Sequence, residues 1–218
     1  MSKAHYLILA FFLFTGLHLI AQTNTSLPVI AKKGKTIRDF IPRGWDTLQT
    51  LTLDFNKDGK RDAVLALRSK ADTTYTEDIP RILVILAGDS SGYKLSAQSA
   101  TVLLCRNCGG VFGDPYDGIS AEGNVITVSH YGGSSMRWFY RWKFRFQKND
   151  WYLIGRTSGG SFPCNDMVAV ESKDENLVTG EVEVITVDEK CEETNNRYKA
   201  AKKPLIKLTS FGENDYGN

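Results

Sequence analysis

The sequence predicts a mainly β protein of antiparallel sheets, sandwich-like or a partial propeller-like meander, with little helix. Three observations carry that prediction. From Arg137 to Phe146 the chain alternates strictly: Trp138, Tyr140, Trp142, Phe144 and Phe146 fall on one face, and Arg137, Phe139, Arg141, Lys143 and Arg145 on the other. That is the period of a half-buried strand. Ala63-Val64-Leu65-Ala66-Leu67 and Ile82-Leu83-Val84-Ile85-Leu86 are short, continuous apolar runs, as expected of strands covered on both faces. An apolar stripe of helical period never extends beyond a turn or two.

The first residues read as delivery. Lys3 supplies a positive start, Tyr6 to Ile20 is almost wholly apolar, and Ala21 is a small residue at a cleavage position. Residues 1–21 therefore read as a secretory signal peptide, and the product as exported to the periplasm, envelope or exterior. The apolar run is shorter than the ~20 residues of a spanning helix, so contact with a membrane is expected only through this segment if it stays uncleaved. Residues 22–35 are polar, contain Pro28, and are expected to form a flexible leader to a single β-rich domain over residues 36–210.

Within that domain, Thr36 to Ile41 should form one helical turn, because Pro42 disfavours helix in the residue before it. Leu48 to Leu53 then reads as a strand. Ser69 to Pro80 is a polar excursion between the two apolar strands, and Gly88 to Gly92 is a turn leading to strands at Tyr93 to Ala97 and Ala100 to Leu104. Val111 to Gly118, rich in Gly, Pro and Asp, is expected to be loop. Ile119 to Ala121 and Val125 to His130 form a hairpin over Glu122-Gly123-Asn124. Lys148-Asn149-Asp150 turns the long alternating strand back into Trp151 to Arg156. Met167 to Glu171 and Glu181 to Val187 flank a second hairpin, Leu205 to Leu208 is a last strand, and residues 211–218 are expected to be a loose tail.

A net charge of +2 argues against an electrostatic grip on nucleic acid. A protein or a glycan is the ligand class left open. The acid-rich stretch from Glu171 to Glu193, followed by Arg197, Lys199, Lys202, Lys203 and Lys207, reads as solvated faces. Cys105, Cys108, Cys164 and Cys191 suggest disulfides in an oxidising compartment. Cys164 and Cys191 flank the second hairpin and are the favoured pair. Cys105 and Cys108 have redox-motif spacing but no βαβ surroundings, so a local disulfide or two free thiols is expected there. The second cysteine pair is too widely spaced for a zinc site.

The stretch with a recognisable chemical task is Asp54-Phe55-Asn56-Lys57-Asp58-Gly59-Lys60-Arg61-Asp62. Ca²⁺ takes six to eight oxygens at roughly 2.3–2.6 Å. Asp54, Asn56 and Asp58 alternate, so their side chains can converge as the chain curls. Gly59 permits a sharp bend, Lys60 can offer its carbonyl, and Asp62 closes the shell. An EF-hand would need a bidentate Glu three residues beyond Asp62, where this chain has Leu65. With the two apolar strands and Gly88-Asp89-Ser90-Ser91-Gly92-Tyr93 that follow, residues 54–97 resemble one FG-GAP or VCBS repeat, the calcium-loop blade unit of integrin-type propellers and of many secreted bacterial proteins. The resemblance implies a structural Ca²⁺ on Asp54, Asn56, Asp58, Lys60 (carbonyl) and Asp62. A closed propeller needs several such loops, and the sequence has no second one. The signal ending in Ala21-Gln22 also resembles those of exported proteins of Bacteroidetes-like bacteria.

The chemistry of catalysis is thinner. His130-Tyr131-Gly132-Gly133-Ser134 is superficially similar to the glycine-rich oxyanion loops of esterases, but no Gly-x-Ser-x-Gly nucleophile elbow occurs. Asp114 and Asp117 could form a carboxylate pair, although turn chemistry explains them better. A secreted hydrolase with a site near Asp114, Asp117 and His130 is the alternative to a non-enzymatic, calcium-binding module. The outward cations of the 137–146 strand, with Phe139 among them, leave a smaller option for binding.

Overall fold

The computed structural model describes residues 27–73 and 78–217. The signal peptide and the start of the leader lie outside these residues. Strands β1 (Lys33–Gly34), β2 (Trp45–Leu53), β3 (Asp62–Ser69), β4 (Ile82–Asp89) and β5 (Gly92–Ser99) form one antiparallel sheet in the order β1-β5-β4-β3-β2. Strands β6 (Tyr116–Glu122), β7 (Val125–Gly133), β8 (Arg137–Gln147), β9 (Asp150–Cys164), β10 (Met167–Asn176), β11 (Glu181–Val187) and β12 (Glu193–Lys199) form a second, in the order β12-β11-β10-β9-β8-β7-β6. Among the described residues, helix is limited to short 3₁₀ turns, including Ile37–Phe40 before Pro42.

Strand parity divides the chain between two cores. Val64, Ala66, Leu83 and Ile85 point to one side of the small sheet and pack with Ile126, Val128, Trp142, Phe144, Trp151 and Leu153 of the large one. Ala63, Leu65, Leu67, Ile82, Val84 and Leu86 point to the other side. The leader closes that side: Ile30 and Phe40 are buried against it, and Lys33–Gly34 pairs with β5. The expected flexible leader at 22–35 is thus corrected over its described part. β3 and β4 are apolar on both faces, and without residues 27–41 one of those faces would meet water.

Other boundaries moved for physical reasons. Ala100 to Leu104 is not a strand. Val102 and Leu103 reach the core from an irregular segment, which burial demands as readily as a strand does. β9 runs on past Arg156 to Cys164, because Gly159 and Gly160 sit where neighbouring atoms leave no room for a Cβ. Met167 to Glu171 pairs with β9, and the β10–β11 hairpin uses Ser172 to Glu175. Leu205 to Leu208 contributes one bridge, Lys207 to Tyr152. β12, polar throughout, carried no strand signal. The tail is docked: Phe211 is 2% exposed, and the Tyr216 ring packs tilted against Trp142 with centroids 4.6 Å apart.

The sheets also meet at their edges. The Gln49 side chain on β2 donates to the Ile119 carbonyl at 2.8 Å and accepts from the Ile119 N–H and the Tyr116 hydroxyl, both at 2.9 Å, on β6. Cys164 is bonded to Cys191, and Cys105 to Cys108. The first bond closes a separation of 27 residues, which by loop entropy stabilises the fold by about 3.5 kcal/mol.

Candidate functional site

The acidic stretch is the β2–β3 connection. Phe55 holds it to the molecule. Its ring is buried with its centroid 4.6 Å from that of Phe146 and 5.0 Å from that of Trp151. Beyond Phe55 the loop is exposed and folds its oxygens inward. Asp54 Oδ1 and Asn56 Oδ1 both accept from the Asp58 N–H, at 3.1 and 3.0 Å. Asp54 Oδ2 accepts from the Gly59 N–H at 3.0 Å, and Asp58 Oδ1 from the Lys60 N–H at 2.8 Å. Asn56 Nδ2 donates to Asp58 Oδ2 at 3.0 Å. Gly59, at φ +78°, occupies the left-handed region that a side chain resists.

Asp62 has a different position from the other four. It is fully buried, and its carboxylate accepts from the Phe55 N–H at 2.9 Å and the Gly88 N–H at 2.7 Å. It ties the loop's start to the end of β4. Gly88 can come this close because it has no Cβ: one would stand 2.3 Å from the Arg61 carbonyl oxygen. Burial raises the Asp62 pKa. The two N–H bonds oppose that rise, and the charges of Asp58 and Asp54 add to it. Two carboxylates and one amide therefore converge over the loop backbone, and a third carboxylate lies beneath as a clasp. Among the described residues, no group of three His, Cys, Asp or Glu side chains is gathered to hold a metal.

Asp114 and His130 lie near enough to feel each other's charge, with Tyr116 between them, but each is already engaged. Asp114 takes a two-point bond from Arg81, at 2.7 and 2.6 Å, and the Tyr116 N–H at 3.0 Å. Burial alone would raise its pKa, but these partners outweigh it and hold the carboxyl below its usual range. Asp117 stands exposed on β6. His130 is 1% exposed, and its Nε2 accepts from the Leu104 N–H at 3.1 Å. The ring proton therefore sits on Nδ1, which has no hydrogen-bond partner among the described residues. Burial first, then the charge of Arg81, pushes the His130 pKa down from 6.5 to about 3. A neutral imidazole with its acceptor nitrogen occupied is not a poised general base.

His130 has a testable consequence for stability. Its folded pKa lies below its unfolded one, so the unfolded state binds the extra proton between them. Stability should fall as pH drops through 6.5 toward about 3, with a slope of about 1.4 kcal/mol per pH unit from this one group. Urea titrations at several pH values should show a shallower slope for His130→Gln, whose Oε1 stands about where Nε2 does and can still accept from the Leu104 N–H.

Arg81 is the group that sequence reading missed. It is fully buried, bonded to Asp114, and 3.6 Å from the buried Asp72. The available signal was a lone Arg between Pro80 and the apolar run at Ile82.

Comparison with known proteins adds little. No protein-family model matches the chain, and no curated protein matches it. A solved structure titled "Structure of a Xanthomonas Type IV Secretion System related protein" is similar at 17% identity and a TM-score of 0.31. The likeness covers 67% of this chain and 58% of that one. At that extent, fold and function are read from the chain itself.

Proposed function

We propose that the chain is an exported, non-enzymatic β-sandwich module that binds a partner and is braced at residues 54–62 by a structural Ca²⁺. The observation that carries this reading is the convergence of Asp54 and Asn56 oxygens on one N–H, that of Asp58, in an exposed loop. Asp54, Asn56 and Asp58 would hold the ion, and the Lys60 carbonyl would join them. Asp62 accepts two N–H bonds, so it acts first as an anchor and can add a remaining lone pair. The ion would offset the mutual repulsion of these carboxylates. The FG-GAP or VCBS resemblance is supported in one respect: β2 to β5 form a four-stranded antiparallel meander with the acidic loop at its first turn. The two disulfides fit an oxidising compartment. The non-enzymatic reading is supported by the Asp114–Arg81 pairing and the low His130 pKa.

Thermal unfolding in EDTA and then in 5 mM Ca²⁺ tests the brace. For a site of Kd ~10⁻⁴ M, linkage gives about 2 kcal/mol, or a rise in Tm of roughly 5 °C for a chain of this size. Asp58→Ala should abolish the rise. No rise in the wild-type protein would overturn the calcium reading, and a rise retained in Asp58→Ala would place the ion elsewhere.

A further inference from the structure

We propose that the outer face of the seven-stranded sheet, along β8, docks an anionic polysaccharide. This rests on the binding-module reading and names its ligand class; it does not depend on calcium. Arg137, Phe139, Arg141, Lys143 and Arg145 alternate with the core residues and so share the outer face. Alternate residues on a strand lie about 6.8 Å apart, within a Debye length of about 8 Å at physiological salt. Among the described residues, Arg137, Arg141, Lys143 and Arg145 make no salt bridge to a carboxylate, whereas Arg81, Arg156 and Arg197 each do. The free protein therefore bears a row of like charges that a polyanion would relieve.

The strands beside β8 leave this row open. Register places Gly133, Ser129 and Thr127 of β7 opposite Arg137, Arg141 and Lys143. On β9 the corresponding partners are Ser161, Thr157 and Gly155. These residues are small or hydroxyl-bearing, so the cations stand above a floor that offers hydrogen-bond donors and acceptors. A shallow groove of about 400 Å³ adjoins Lys143 and Arg145. Carboxylates border the row and are in part already engaged. Asp174 at the groove's edge accepts from the Thr157 hydroxyl at 2.5 Å, and Glu175 beside it is paired with Arg156. Glu183, opposite Asp174, is paired with Arg197. Glu122 lies one strand beyond Val125, the partner of Arg145.

Rings lie toward the ends of the row. The Arg137 guanidinium stands 4.6 Å from the centre of the Phe112 ring, which meets Tyr131 edge-on at 5.2 Å. Phe139 lies against Gly159, where a Cβ would be 2.5 Å from its ring, and carries Arg141 at 5.3 Å. At the other end, Tyr152 is the register partner of Arg145. A single-stranded nucleic acid needs rings in succession beside the cations, so that base after base can stack. Here the middle of the row offers hydroxyls, which suit a sugar chain. Its acidic groups would meet the cations, and its own hydroxyls would meet Ser129, Thr127 and Thr157.

The test is binding of the exported chain, in EDTA, to immobilised polygalacturonate and dextran sulfate, with neutral dextran, a single-stranded DNA oligonucleotide and phosphatidylglycerol vesicles in parallel. Arg141 and Lys143 are exposed, so R141E/K143E should fold normally, which an unchanged Tm would verify. K202E/K203E carries the same charge change away from this face. We expect wild-type binding to at least one of the two polysaccharides, weakened by salt, and none to neutral dextran. R141E/K143E should bind at least tenfold more weakly and K202E/K203E within twofold of wild type. Binding to polygalacturonate or dextran sulfate alone would tell a carboxylated from a sulfated ligand. Failure to bind either polysaccharide, an equal loss in the control variant, or tighter binding to DNA would overturn the proposal. Tighter binding to vesicles would overturn the ligand class while leaving a binding module, so the two failures are distinguishable.

Discussion

Asp62→Ala is expected to lower the stability of the fold by about 2–4 kcal/mol in urea denaturation at pH 7. The carboxylate accepts the buried N–H groups of Phe55 and Gly88, and its loss strands both donors away from water. A buried donor without a partner costs ~1–3 kcal/mol. One effect opposes this. The Asp62 pKa is raised in the fold, chiefly by burial, so its ionised form at pH 7 works against stability. The stabilisation linked to that raised pKa is present below the unfolded pKa and is lost as pH rises through the folded one. The gap between wild type and Asp62→Ala should therefore widen as pH falls from 7 toward 4. Two broken charge-assisted bonds outweigh the relief of one desolvated charge. A variant within 0.5 kcal/mol of wild type at pH 7 would show that the clasp is not needed. Asp62→Asn should fall between, because its single oxygen can serve only one of the two donors.

Arg81→Ala is expected to cost about 3–5 kcal/mol, the range for breaking a buried ion pair from one side. The cost arises mainly at Asp72, whose side chain is 1% exposed and whose carboxylate oxygens have no hydrogen-bond partner among the described residues. Without Arg81 that carboxylate stays buried and loses the salt bridge it makes among the described residues. Asp114 keeps 37% of its side chain in water, so it is rehydrated and adds less. Arg81→Met with Asp72→Asn should recover much of the loss, since removing both charges leaves neither uncompensated. A double variant no more stable than Arg81→Met alone would locate the cost in packing. These effects exceed those expected from the exposed loop and the outer face of β8, where water screens each charge.

Much of this architecture was legible from local patterns. The alternation from Arg137 to Phe146 gave β8 its two faces, and Trp142 and Phe144 are fully buried as it requires. The continuous runs at Ala63 and Ile82 announced strands covered twice, and Asp54, Asn56 and Asp58 were placed in one turn. Legibility failed where a residue's state depends on something distant in the chain. Asp62 was read only as a loop ligand, and its bond to the Gly88 N–H across the sheet left no mark in the sequence. Asp114 was weighed as half of a carboxylate pair with Asp117, but Arg81 neutralises it from 33 residues away. His130 was weighed as part of a hydrolase site, but Trp142 covers it with ring centres 4.9 Å apart.

The sequence by itself determined the fold class, the strand that divides most aromatics from the cations, and the acidic turn, and it favoured the pairing of Cys164 with Cys191. Each is set by spacing along the chain, which periodicity and turn chemistry report directly. Only the tertiary structure decided that residues 27–41 seal the second face of the small sheet and that Phe211 and Tyr216 dock against the large one. It alone decided that Arg81 is buried. Those outcomes follow from apolar area and charge brought together from remote segments, and burial leaves no periodic mark on a short irregular stretch.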